Sequence, residues 1–105
     1  VQTLSLIFDQ RFELLRDENL RDVVVHPNPF IEQSFISFEL KEESNIEIRF
    51  YELSGRLIYK KLLVGQKGYN KVRLDGYELG ETGAVIICEV RTESEVEIQK
   101  ILRIQ

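Results

Sequence analysis

The stretch Val23-Val24-Val25-His26-Pro27-Asn28-Pro29-Phe30 decides the fold. Its first half is a β-branched run, the residue type that packs best on a pleated surface. It stops at Pro27, which has no N–H to give a ladder. Pro29 in turn biases Asn28 towards an extended backbone. Pro27–Phe30 is therefore a stiff exit from a first strand. Beyond it, apolar residues alternate with polar ones, which is the strand period. Ile36, Phe38 and Leu40 face one way, Ser37 and Glu39 the other, before the polar turn Lys41-Glu42-Glu43-Ser44. Ile46, Ile48 and Phe50 then alternate with Glu47, Arg49 and Tyr51. At Ser54-Gly55 a tight turn is expected, because glycine takes positive φ without strain.

The pattern continues to the last residues. Leu57–Val64 reads as a strand closed by Gly65-Gln66-Lys67-Gly68, and Tyr69–Leu74 as another closed by Asp75-Gly76. Glu78–Gly83 reads as a loop. Ala84–Thr92 and Val96–Ile104 form a last hairpin around Glu93-Ser94-Glu95. Seven short strands at regular spacing, without intervening helices, predict an all-β, Ig-like antiparallel β-sandwich over residues 23–105.

Residues 1–22 stand apart. Thr3–Phe8 and Arg11–Leu15 read as a short hairpin about Asp9-Gln10. Arg16-Asp17-Glu18-Asn19-Leu20-Arg21-Asp22 is charged, has no strand pattern and reads as a linker. The hairpin is either the tail of an upstream passenger domain or an extra β-layer on the sandwich, since a lone hairpin is marginal in water.

Composition narrows the function classes. The chain has 105 residues, 43% hydrophobic and 30% charged, the profile of one globular domain. No apolar run reaches the length of a membrane helix. Val1 opens the chain without a charged-then-apolar leader, which reads as a fragment, with any export signal missing upstream. A net charge of −4 disfavours nucleic acid as a partner. Residues 1–53 carry 5 Lys/Arg against 11 Asp/Glu, residues 54–105 carry 9 against 7, and a mixed solvated surface explains the difference. Cys88 is the one cysteine, so no internal disulfide forms, and its apolar strand marks it as a small buried hydrophobe.

Catalytic and ligand chemistry finds little support. His26 is the single histidine and has no clustered Cys, Asp or Glu to hold a metal. A nucleophile elbow is missing, so a Ser/His/Asp site has no anchor. Glu42, Glu43, Glu47 and Glu52 sit in turns and on outward positions, where solvated carboxylates belong. Gly65-Gln66-Lys67-Gly68 lacks the strand–loop–helix context of a phosphate loop. Tyr51, Tyr59, Tyr69 and Tyr77 fit either cross-strand packing or a sugar-binding face. Lys60, Lys61, Lys67, Lys71 and Arg73 form a modest basic patch suited at most to an acidic partner. No enzyme, metal or cofactor is expected.

Ordered along the chain, several of these pieces resemble the C-terminal sorting domain of the type IX secretion system (type A, Por secretion system family). The family's Pro-Asn-Pro-Phe is matched by Pro27, Asn28, Pro29 and Phe30, and its Phe-Glu-Leu triplet by Phe38-Glu39-Leu40. Its Tyr-Asp-Leu-x-Gly-Arg turn is matched by Tyr51-Glu52-Leu53-Ser54-Gly55-Arg56, then Leu57-Ile58-Tyr59. Leu79–Gly83 and Gly83-Ala84-Val85 stand at its Leu-x-x-Gly and Gly-x-Tyr elements, and Lys100-Ile101-Leu102 at its closing strand. The resemblance implies a targeting role. The domain would direct a passenger through the translocon and across the outer membrane of a Bacteroidota-type cell. A sortase would cut within Arg16–Asp22 and attach the passenger at the surface. The passenger would cross the periplasm and end at the cell surface or outside. A homodimer through an edge strand is a further expectation. The alternative reading is an adhesive or carbohydrate-binding spacer of Ig or fibronectin type.

Two departures from the family carry a structural expectation. Val85 replaces the family's Tyr, and the strand Ala84–Val90 is one residue long for its pattern of outward charge. A one-residue slip exchanges the faces of a strand. A β-bulge near Val85–Ile87 is therefore predicted, or else a covering element such as the leading hairpin.

Overall fold

A computed structural model describes residues 18–104. Seven strands run in the order β1 (Leu20–His26), β2 (Gln33–Leu40), β3 (Ser44–Glu52), β4 (Leu57–Gly65), β5 (Gly68–Asp75), β6 (Val85–Arg91) and β7 (Val96–Leu102). A 3-10 turn, Gly76–Leu79, sits between β5 and β6. The strands form two antiparallel sheets, β1-β2-β5 and β4-β3-β6-β7, so the all-β sandwich expected from the alternation is present.

The core lies between the sheets, and the alternating residues fill it. Ile36, Phe38 and Leu40 from β2 meet Ile46, Ile48 and Phe50 from β3 and Ile86, Cys88 and Val90 from β6, all buried. Tyr59 packs behind them, its ring stacked 6.1 Å from Phe50. Gly55 turns the β3–β4 hairpin with φ +93°, a conformation that a side chain resists. Gly65 closes β4 where an added methyl would overlap Leu40 Cδ1.

Two strand readings need correction. β1 starts at Leu20 rather than Val23, so Leu20, Arg21 and Asp22 belong to a strand and not to a linker. The pairing with β2 shifts between Arg21 and Val24, and Asp22 sits there with φ +55°. This bulge sets the buried residues Leu20, Val23 and Val25 at spacings of three and then two, which hides the strand period. Aspartate tolerates the left-handed backbone better than most residues.

The bulge predicted near Val85–Ile87 is absent. The ladders of β6 with β3 and with β7 run without a shift. Val85 and Ile87 stand on the outer face and are half-buried. Their cross-strand neighbours are Leu102 for Val85, and Tyr51 and Lys100 for Ile87. The extra residue is accommodated as outward apolar surface instead of as a bulge. The leading hairpin, offered as the other explanation, lies outside the described residues.

Candidate functional site: the clamped terminal strand

The Pro-Asn-Pro-Phe segment and the closing strand are far apart in sequence and adjacent in space. β7 is an edge strand, with β6 on one side only. Its other side is met by the exit from β1. The Asn28 side chain lies along that edge like a short piece of backbone. Its Nδ2 donates to the Lys100 carbonyl at 2.9 Å, and its Oδ1 accepts from the Leu102 N–H at 2.9 Å. Phe30 then continues as main chain. Its N–H donates to Leu102 O at 2.9 Å, and its carbonyl accepts from Ile104 N–H at 2.8 Å, a parallel bridge beside Arg103. An edge that could template another strand is thus occupied from within.

The rest of the segment fixes this clamp. The Phe30 ring is buried in the core. Ser34, fully buried, donates its hydroxyl to the Pro27 carbonyl at 2.6 Å. Both peptide bonds that precede Pro27 and Pro29 are cis. From the other side, Arg103 donates to Gly80 O at 2.7 Å and draws the Gly80–Thr82 loop onto the closing strand. At the far end of β7, Glu95 receives the backbone N–H groups of Asn19 and Leu20, each at 3.0 Å.

Of the residues singled out from sequence, Pro27, Asn28, Pro29 and Phe30 come together with Lys100, Ile101 and Leu102. Ile101 is fully buried, while the Lys100 side chain is exposed. Gly55 and Arg56 lie elsewhere, in the β3–β4 turn. Arg56 grips Glu52 in a two-point ion pair at 2.7 and 3.0 Å, and those hydrogen bonds hold the Glu52 carboxyl below its ordinary range. Gly83 is exposed at the mouth of a shallow groove of about 370 Å³, with Glu52, Leu53, Ser54, Ala84 and Val85. In the candidate cleavage linker, Arg16 and Asp17 lie outside the described residues. Glu18 is exposed, and Asn19–Asp22 are bound into the sandwich.

Sequence reasoning did not single out Ser34, Glu95 or Arg103. Arg103 follows the closing motif directly, which was the available signal. Ser34 and Glu95 carry no local signal, because their partners are backbone groups brought near by the fold.

Other candidate chemistry takes structural roles. Lys61 donates to Arg73 O at 2.9 Å and pairs with Glu78 at 3.0 Å, and Arg73 pairs with Asp75 at 2.8 Å. Burial pushes the Glu78 carboxyl up, but bonds from the Asp75 backbone, Tyr59 and Lys61 outweigh it and leave the group below its ordinary range. Lys71 lies over the Phe35 ring at 4.3 Å. The basic patch is largely consumed by the protein itself. The tyrosines do not form one surface: Tyr59 packs on the core with Tyr77 of the 3-10 turn near it, Tyr51 stands on the outer side of β3, and Tyr69 is on β5 of the other sheet.

The match to known families runs over the same span. Residues 24–104 match the family described as the secretion system C-terminal sorting domain. The chain belongs to that family. The match begins inside β1 and ends at Ile104, the residue that bonds Phe30, so it takes in both halves of the clamp. No curated protein matches the chain. Among solved structures, the fold is similar to that of dimeric latent PorU from Porphyromonas gingivalis, with a TM-score of 0.61 and 16% identity. That likeness covers 79% of this chain and 9% of the other, and it speaks to the fold alone. Membership of the sorting-domain family makes the chain a type IX C-terminal sorting signal.

Proposed function

We propose that this chain is a non-catalytic address label. It directs a passenger on the same polypeptide through the type IX translocon, across the outer membrane, to the cell surface or the medium. The observation that carries the reading is the family match spanning the sandwich from β1 to the closing strand. The arrangement of that strand supports it. A signal read at the terminus must survive the periplasm without aggregating, and its edge is closed by Asn28 and Phe30.

Sortase cleavage belongs to the same proposal, with its position refined. Asn19 and Leu20 are held by Glu95, and Leu20 is buried, so a protease cannot seat an extended segment there without opening the sandwich. We therefore propose a cut at or before Glu18. The placement of Tyr51 and Tyr69 on separate sheets counts against the adhesive alternative.

The test is a fusion of a signal peptide, a fluorescent passenger and residues 1–105, expressed in a type IX-competent cell and in a secretion-deficient host. Passenger outside the cell only with an active system is the expected result. Passenger retained in the periplasm of competent cells, with the domain folded, would sink the proposal.

A further inference from the structure

β7 wears its pattern inside out. Paired residues share a face, so Glu97, Gln99 and Ile101, opposite the buried Val90, Cys88 and Ile86, lie on the inner side. Val96, Ile98, Lys100 and Leu102 lie on the outer side. Three of those four outer positions are apolar, and they are 44%, 59% and 39% exposed at Val96, Ile98 and Leu102. Polar residues at 97 and 99 are an ordinary defence of an edge strand. The outward apolar residues are not, because they add nothing to the core and invite association. Across β6 the surface continues through the half-buried Val85 and Ile87.

One charge stands in this patch. Lys100 has Ile98 and Leu102 on either side along the strand and Ile87 opposite. Among the described residues no carboxylate pairs with it. On the neighbouring strand of this face, Glu89 opposite Ile98 is paired with Arg91 at 3.1 Å. The backbone of this half of β7 is not available for strand addition, since Asn28 and Phe30 fill it. A partner must therefore approach through the side chains.

We propose that the outer face of β7, formed by Val96, Ile98 and Leu102 around Lys100, is a docking surface for a protein of the export machinery. That protein offers an apolar shelf bearing a carboxylate. The proposal rests on the sorting reading above. The carboxylate follows from electrostatics: covering an unpaired ammonium with apolar surface is unfavourable unless an acid meets it. A second copy of the chain is a poor occupant. A two-fold contact centred here brings Lys100 against Lys100.

The test uses the passenger fusion carrying residues 1–105. Ile98→Thr with Leu102→Thr, and separately Lys100→Glu, are compared with Leu62→Thr/Val64→Thr on β4, which removes even more exposed apolar surface from the same sheet. Thermal unfolding of each purified chain checks the fold. Export is expected to fall at least about tenfold in the first two, the loss that one good contact accounts for. Melting should be unchanged, the β4 control should export normally, and Lys100→Arg should retain export. Should the double substitution lower the melting temperature, Lys100→Glu decides the matter alone, because that side chain is exposed. Normal export of both β7 variants, with export still dependent on an active system, overturns the docking face and leaves the sorting role standing. Failure of the unsubstituted chain to export overturns the sorting reading itself. Equal loss in the β4 control removes the specificity claimed for β7. Binding to anionic phospholipid vesicles that Lys100→Glu abolishes, or a dimer that Ile98→Thr dissolves, would assign the face to a membrane or to self-association and overturn the protein partner.

Discussion

Replacing Asn28 separates the clamp from the rest of the fold. In Asn28→Ala, the Lys100 carbonyl loses its donor and the Leu102 N–H its acceptor. Both groups lie near solvent, so water takes over part of the role. At roughly 0.5–1 kcal/mol for each such bond, the loss is about 1–2 kcal/mol. For a domain of this size that lowers the melting temperature by roughly 4–12 °C. Asn28→Asp is the sharper test. Its carboxylate still accepts from Leu102 N–H but turns an oxygen towards the Lys100 carbonyl, so at neutral pH it should be no better than alanine. The introduced aspartate is disfavoured as a carboxylate beside a carbonyl, so its folded pKa lies above its unfolded value of about 3.9. Its protonated form donates as the amide did. The deficit relative to Asn28 should therefore shrink as the pH falls through the folded pKa towards and below about 3.9. Urea unfolding of residues 1–105, followed by circular dichroism at several pH values, reads both effects. A variant Asn28→Ala as stable as the parent, or an aspartate deficit that does not narrow in acid, would refute the clamp.

Four further outcomes follow from the same geometry. Gly55→Val should cost about 2 kcal/mol in denaturant unfolding, because its φ of +93° is hostile to a branched side chain although the space around it is open. Ile101→Asp places a carboxylate at a fully buried position and should unfold the domain at ambient temperature, seen as loss of the cooperative transition. Cys88, whose thiol burial, with a smaller push from the Glu89 charge, raises to about 12, should resist alkylation in the native protein at mildly alkaline pH and react at once in urea; rapid native labelling counts against the buried position. Arg56 hydrogen bonds hold Glu52 low, so this pair stabilises above the ordinary 4.5 and the stability is lost as pH falls below it. Arg56→Ala should therefore flatten the acid limb of the stability–pH curve, and an unchanged limb would remove the pair from the account.

Sequence pattern carried most of the fold because β2, β3 and β6 alternate without interruption. Ile36, Phe38, Leu40, Ile46, Ile48 and Phe50 are buried just where the period of two places them. Reading failed where geometry breaks the period. At β1 the bulge about Asp22 moves the next inward residue to Val23, so Leu20 looked like part of a charged linker. At β6 the opposite error arose: a family pattern suggested a bulge, but the ladder is regular and simply leaves Val85 and Ile87 on the outer side. The site was legible as two separate motifs. Their contact was not, because a side-chain amide standing in for a strand, across more than seventy residues, leaves no periodic trace.

Edge protection connects these observations to function. The sandwich has four edge strands, β1, β5, β4 and β7, and three of them are tied by side chains. Asn28 covers the Lys100–Leu102 part of β7, Glu95 takes the N–H groups of Asn19 and Leu20 where β1 begins, and Lys61 reaches from β4 to the Arg73 carbonyl of β5. The stretch from Lys100 in β7 to Ile104, which Asn28 and Phe30 close, is not open to strand addition. What stays exposed there is the set of outer side chains of the last strand. An export machine that reads them also reads folding. Lys100, Ile98 and Leu102 hold one fixed arrangement only after Asn28 and Phe30, from the other end of the domain, have closed on the same strand.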